Sequence, residues 1–209
     1  SVNQAPREHE PGQKVEPVDV ELELKIVADI GLVGYPNAGK STLLSDLTNA
    51  NPKIGSYPFT TRHPVVGIME YEDFKKLTVA DIPGLVDGAH RNVGLGHEFL
   101  RHIERTRMLV YVLDMGGTDG RNPIDDLHAL QRELELYSEG LSKRAKLIIA
   151  NKMDMEESEK NLEALLKDLN KTIPVFPMSA VLDPDFNEIK DVMRDLLAKC
   201  PDTPAVAVE

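Results

Sequence analysis

Ile30-Gly31-Leu32-Val33-Gly34-Tyr35-Pro36-Asn37-Ala38-Gly39-Lys40-Ser41-Thr42 is the stretch on which the reading of this chain turns. A short apolar run enters a loop with two glycines, and a helix-like segment, Thr42 to Leu47, leaves it. Strand, glycine loop and helix in that order make a phosphate-binding loop. A phosphate chain needs backbone N–H groups pointing inward, and Gly34 and Gly39 permit the tight curl and close approach this requires. The helix behind adds the positive end of its dipole. Lys40 is placed to reach terminal phosphates, and the Ser41 hydroxyl to ligate a bridging Mg2+. A plain turn between strand and helix does not account for the full eight-residue match from Gly34 to Ser41.

Strand-like and helix-like segments alternate from Ile26 onward. Apolar runs at Ala28–Val33, Val65–Tyr71, Leu77–Ile82, Met108–Leu113, Lys146–Ala150 and Pro174–Met178 predict strands. Helical patterns lie at Ser41–Asn49, Gly96–Arg105, Pro123–Tyr137, Ser158–Leu169 and Phe186–Ala198. Such alternation implies an α/β fold with a mostly parallel six-stranded sheet and helices on both faces. The turn Glu72-Asp73-Phe74 predicts one antiparallel pair. In open sheets of this kind ligands sit beyond the carboxyl ends of the strands, where every motif below falls.

Asp81-Ile82-Pro83-Gly84 closes the third run. Its aspartate can hold Mg2+ through water, and the Gly84 N–H can reach a terminal phosphate. Asn151-Lys152-Met153-Asp154 closes the fifth run and reads the base. The Asp154 carboxylate can accept from guanine N1–H and the 2-amino group, whereas adenine would leave a buried charge unpaired. Lys152 can lay its stem along the base plane, and Asn151 can tie this loop to the phosphate loop. Taken singly, Asp154 reads equally as a helix cap; the four-residue match at a strand end favours base recognition. The N–H of Ala180, in Ser179-Ala180 after the sixth run, can donate to guanine O6. Between the first helix and second strand, either Thr60 or Thr61 can complete a magnesium shell when a third phosphate is present.

Bulk properties narrow the class further. The 209 residues suffice for one packed domain, and 41% hydrophobic with 28% charged residues is ordinary for a globular chain. No apolar run is long enough to span a membrane, and no signal-peptide pattern opens the chain. The lone cysteine, Cys200, has no partner for an internal disulfide, which fits a reducing compartment, and its place before Pro201 argues against a catalytic thiol. A net charge of −11 argues against a general grip on nucleic acid. Arg101, Arg105 and Arg107 form one candidate basic patch, which charge alone reads as a solvated helix face. Residues 1–25 read as a polar lead-in ending in a half-exposed strand, Val18–Leu24. Residues 26–199 read as the nucleotide domain and 200–209 as a flexible tail.

Gly34–Ser41, Thr60-Thr61, Asp81–Gly84, Asn151–Asp154 and Ser179-Ala180, in this order, resemble the five guanine-nucleotide motifs of Ras-like P-loop GTPases. Tyr57-Pro58-Phe59-Thr60-Thr61, Asp81-Ile82-Pro83-Gly84-Leu85-Val86-Asp87-Gly88-Ala89-His90 and Gly94-Leu95-Gly96-His97-Glu98-Phe99-Leu100-Arg101-His102-Ile103-Glu104-Arg105-Thr106-Arg107 narrow the resemblance to the Obg family. It covers about residues 20 to 198. The resemblance implies a GTP and GDP site formed by Gly34-Tyr35-Pro36-Asn37-Ala38-Gly39-Lys40-Ser41-Thr42, Phe59-Thr60-Thr61-Arg62-His63, Asp81-Ile82-Pro83-Gly84, Asn151-Lys152-Met153-Asp154 and Ser179-Ala180-Val181. It implies Ser41 and Thr61 as magnesium ligands, a glycine-rich domain before this one whose last strand is Val18–Leu24, and a role in large ribosomal subunit assembly through rRNA and ribosomal proteins. Bacterial cytoplasm, mitochondrion and chloroplast all host the family.

Two departures from the family pattern stand out. Arg62-His63 follows Thr61, and Val181-Leu182-Asp183-Pro184-Asp185 replaces a glycine-rich turn. Leu85 occupies the position where Ras-like proteins orient the attacking water with glutamine, so intrinsic hydrolysis is expected to be slow. Asn37 and Thr61 are the catalytic candidates. In related GTPases an asparagine at the place of Asn37 accompanies a K+ ion that bridges the phosphates, which makes K+ a candidate cofactor here. His97 and His102 read as structural or interface residues rather than catalytic bases, with His90 better placed for the nucleotide. A slow-turnover guanine-nucleotide sensor, on the ribosome or in stress signalling, is the alternative to a hydrolysing switch.

Overall fold

A computed structural model describes residues 28–48, 53–54, 65–82, 106–183 and 185–201. The elements run β1 (Ala28–Val33), α1 (Lys40–Leu47), β2 (Lys53–Ile54), β3 (Val65–Glu70), β4 (Lys76–Asp81), β5 (Thr106–Asp114), α2 (Pro123–Tyr137), a 3₁₀ turn (Leu141–Arg144), β6 (Ala145–Asn151), α3 (Ser158–Leu169), β7 (Val175–Pro177) and α4 (Asn187–Leu197). The lead-in with its strand Val18–Leu24, the helix Gly96–Arg105, and the histidines 90, 97 and 102 lie outside the described residues, as do Phe59–His63 and Pro83–Leu85.

All six expected strands are present, and the two-residue β2 adds a seventh at one edge. The sheet order is β2-β3-β4-β1-β5-β6-β7. From β4 to β7 every pairing is parallel, while β3 runs antiparallel to both β4 and β2. The expected hairpin closes with the Phe74 N–H donating to the Tyr71 carbonyl, and Phe74 itself takes a positive φ of 61°. β2 and β7 are short, which blunts the two edges against pairing with other chains.

The central strands read as unbroken apolar runs because both of their faces are covered. On β5, Leu109, Tyr111 and Leu113 face one core, with Leu127, Leu130 and Leu134 of α2 and Leu165 and Leu169 of α3. The intervening Met108, Val110 and Val112 face the other, with Leu43, Leu44 and Leu47 of α1 and Ile189, Met193 and Leu197 of α4. Those helical positions recur every three or four residues, which is the stripe an amphipathic helix must bury. Asn122 starts α2: its side-chain oxygen accepts the Ile124 N–H at 2.9 Å, and Pro123 follows it.

Boundaries moved where pairing reached past the apolar run. β5 begins at Thr106 because that residue pairs with Ala28 and is fully buried. Arg107 is therefore a strand residue rather than an extension of a basic helix, and its guanidinium lies 3.5 Å from Asp29. Cys200, read from the sequence as the start of a tail, packs against the α4 face of the core and donates its thiol to the Leu196 carbonyl. Among the described residues no helix is long and apolar enough to cross a membrane.

Candidate nucleotide-binding site

The carboxyl ends of β1, β4, β5 and β6 and the turn after β7 bring the sequence motifs to one end of the sheet. Gly34 leaves β1 so close to β5 that an added Cβ would lie 2.4 Å from the Val112 carbonyl. Gly39, the residue before α1, has φ of 96°, and a Cβ there would lie 2.1 Å from Asn151 Nδ2. Asn37 also takes a positive φ, of 62°, and the Ala38 N–H folds back to the Tyr35 carbonyl. α1 has neither a side-chain cap nor an acidic residue in its first turn. Its N–H groups and positive dipole end are thus left for an external anion.

Lys40 is 7% exposed and donates to the carbonyls of Gly34 at 2.9 Å and Tyr35 at 3.0 Å. An ammonium has three donors, so one remains for a phosphate. Burial pushes the Lys40 pKa down, and the charge of Asp81 opposes that shift. The Ser41 hydroxyl donates to Asp81 Oδ2 at 2.5 Å, while Asp81 Oδ1 is buried with no partner. A buried, unpartnered carboxylate oxygen beside a serine hydroxyl supplies the hard oxygens that Mg2+ prefers. Among the described residues there is no group of three or more His, Cys, Asp or Glu side chains that could hold a metal ion. Mg2+ in nucleotide sites takes few protein ligands and draws the rest from phosphate and water, so the donor pair fits that ion.

Asn151 joins the two halves of the site. It is 2% exposed, donates Nδ2–H to the Ala38 carbonyl at 2.8 Å and accepts the Ala180 N–H on Oδ1 at 3.0 Å. The N–H expected to reach guanine O6 is therefore already paired, and a base would share it. Asp154 Oδ1 accepts from the Ser179 hydroxyl at 2.6 Å. The residues that replace the glycine-rich turn form their own closure, with the Ser179 N–H donating to Asp183 Oδ2 at 2.7 Å and the Asp183 N–H to the Ser179 carbonyl at 2.9 Å. Val181, expected to join the set, is 77% exposed.

One part of the site escaped the sequence reading: the loop between β5 and α2. Asp119 Oδ2 accepts from Asn37 Nδ2 at 3.2 Å, and the Arg121 guanidinium lies 3.7 Å from the centre of the Tyr35 ring while its Nε donates to Asp126. Asp114 and Thr118 accept from the Lys152 ammonium. The available signal was an aspartate at a strand's carboxyl end followed by the turn-rich Gly116-Gly117-Thr118-Asp119-Gly120.

A glycine cradle at the end of β1, a lysine folded into it, a serine–aspartate pair and an amide that ties the cradle to the turns after β6 and β7 define a P-loop nucleotide-binding protein. A sequence model of the family described as "50S ribosome-binding GTPase" matches residues 29–152. The chain belongs to that family, in its Obg branch of Ras-like P-loop GTPases. It is similar to the GTPase Obg of Akkermansia muciniphila, 49% identical over 94% of this chain and 56% of that protein. It is likewise similar to the GTPase Obg of Bacillus licheniformis, 48% identical over 97% of this chain and 47% of that protein. The chain thus spans about half the length of the curated relatives it matches. Among solved structures, the G domain of the Thermotoga maritima FeoB iron transporter shares the fold, with a TM-score of 0.58 at 23% identity over 80% of this chain and 96% of that one.

Proposed function

We propose that this chain is a guanine-nucleotide switch domain that binds GTP and GDP with Mg2+, hydrolyses GTP slowly by itself, and works on the large ribosomal subunit or its precursor. The observation that carries the reading is Asn151, whose single side chain ties the base-reading turn Asn151–Asp154 to the phosphate cradle. Lys40 then binds the terminal phosphates through its remaining donor, Ser41 and Asp81 hold the metal, and Asp154 accepts from the guanine edge. A bound Mg2+ supplies charge neutralisation between the outer phosphates. Thr61 completes its shell in the GTP state on this reading. The ribosomal role draws on the family description and on relatives named GTPase Obg. The bacterial relatives favour a cytoplasmic location.

Single-turnover hydrolysis of GTP with and without purified large ribosomal subunits tests this function. A slow basal rate that rises on adding subunits supports it; in GTPases generally a partner can add up to about 10⁵-fold. A rate that subunits leave unchanged favours the slow-turnover sensor, to which Leu85 also points because its side chain cannot hydrogen-bond a water.

The Asn37–Asp119 bond bears on K+. It engages the asparagine amide nitrogen and leaves the carbonyl oxygen as the ligand for a cation. Hydrolysis is expected to run at least about tenfold faster in K+ than in Na+ for the native chain, about 1.4 kcal/mol of barrier, and to lose that preference in Asn37→Ala. Equal rates in the two salts remove K+ from the reading.

A further inference from the structure

Lys152 takes a backbone conformation that lysine seldom adopts, with φ of 63°. The ammonium at the end of its side chain is nonetheless held at two points. The ammonium donates to Asp114 Oδ2 at 2.7 Å and to Thr118 Oγ1 at 2.8 Å. Asp114 ends β5, and its carboxylate also accepts the Gly116 N–H at 2.9 Å and the Thr118 hydroxyl at 2.5 Å. Burial opposes the charge on Asp114, but the hydrogen bonds from Lys152 and Thr118 outweigh it and hold the carboxyl below the usual carboxylate range. The turn 114–118 presses on the base-reading turn at a second point: a Cβ on Gly116 would lie 2.7 Å from Met155 Cγ, next in sequence to Asp154.

A lysine stem is flexible and strongly favours a solvated head, so an unheld Lys152 would sweep solvent rather than lie along a ring. We propose that Asp114 is a positioning residue for guanine recognition, its carboxylate holding the Lys152 ammonium so that the stem lies flat along the purine beside Asp154. The proposal rests on the guanine reading above. Asp114 closes its own turn through Gly116 and Thr118, but the loop is also held by bonds in which neither Asp114 nor Lys152 takes part. Asn161 Nδ2 donates to the Met115 carbonyl at 2.7 Å, the Met115 N–H to the Asn151 carbonyl at 2.9 Å, and Arg121 to Asp126. Asp114 therefore acts on the nucleotide through Lys152.

The test is a double-mutant cycle on the full chain, read as the dissociation rate of a fluorescent GDP analogue. Asp114→Asn keeps the shape and removes the charge; Lys152→Met keeps the stem and removes the ammonium. Asp114→Asn alone is expected to speed dissociation about tenfold, the loss of one charge-assisted hydrogen bond. In the Lys152→Met background it should add less than about twofold, because the group it acts through is gone. Pyrophosphate affinity, which samples the cradle alone, should stay unchanged in Asp114→Asn, whereas a general loosening of the loop would lower it. The same factor in both backgrounds, or a parallel loss of pyrophosphate binding, overturns the proposal. If Asp114→Asn lowers the melting temperature enough to obscure the reading, Thr118→Val removes the other acceptor and must show the same dependence on Lys152. Competition of GDP against ADP on the native chain separates the two levels. Equal affinities would sink the guanine reading itself, whereas GDP preference with an additive cycle would sink only the role of Asp114.

Discussion

Gly39→Ala raises the dissociation constant for GDP by at least about a hundredfold. The added methyl meets two obstacles. The backbone at φ of 96° is one that a side chain enters only with strain, costing about 1–3 kcal/mol. The Cβ would also lie 2.1 Å from Asn151 Nδ2, so either the loop or the amide must move. Moving the amide breaks its bond to the Ala38 carbonyl and unseats the Ala180 N–H, at a further cost of about 1–3 kcal/mol for buried groups. Isothermal titration with GDP checks the outcome. Gly140→Ala is the control: its φ of 80° carries the same kind of strain, nothing lies within 4 Å of the added Cβ, and it sits in the turn after α2. It should lower the melting temperature and leave GDP affinity within about twofold, as expected of a change away from the site. A Gly39→Ala protein that binds GDP within tenfold of the native one would mean that the cradle is not the phosphate site.

Asp154→Asn reverses the base preference. The carboxylate takes the Ser179 hydroxyl on Oδ1 and keeps its other oxygen and remaining lone pairs for the base. Guanine presents two donors on that edge. An asparagine amide would set an N–H against the 2-amino group, and a buried donor facing a donor forfeits the bond and strands both groups. A site built on such a contact rejects the mismatched partner by about 10⁴-fold, and a loss of about 10²–10⁴ in GDP affinity is expected. Xanthine carries a carbonyl in place of the 2-amino group and keeps N1–H, so it matches the amide. XDP should therefore overtake GDP in competition binding. The Ser179 hydroxyl can still donate to the amide oxygen, so the turn should hold and the melting temperature change little. Unchanged GDP preference in this variant would show that Asp154 does not read the base.

The fold was legible because its central strands are covered on both sides. Runs such as Met108–Leu113 leave no polar interruption, so their existence was plain even where their ends were not. The ends shifted where backbone pairing, which has no side-chain signature, carried β5 back to Thr106. The loop Gly34–Ser41 and the turn Asn151–Asp154 stood out in the sequence because the chemistry expected of them demands particular side chains at fixed spacing. The contacts of Asp114 and Asp119 were not. Their partners, Lys152 and Asn37, stand 38 and 82 residues away along the chain, and no local pattern records which loops the sheet order brings together. The acceptor of the Ala180 N–H escaped for the same reason, since the two residues meet only because β6 and β7 are neighbours.

The internal bonding of Lys40 has a kinetic corollary. Its ammonium is buried and aimed by the carbonyls of Gly34 and Tyr35. An incoming phosphate meets a preset electrode and need not wait for a side chain to find its place. Arrival should then be governed by encounter, and differences in affinity among variants of the cradle should surface in how long the nucleotide stays.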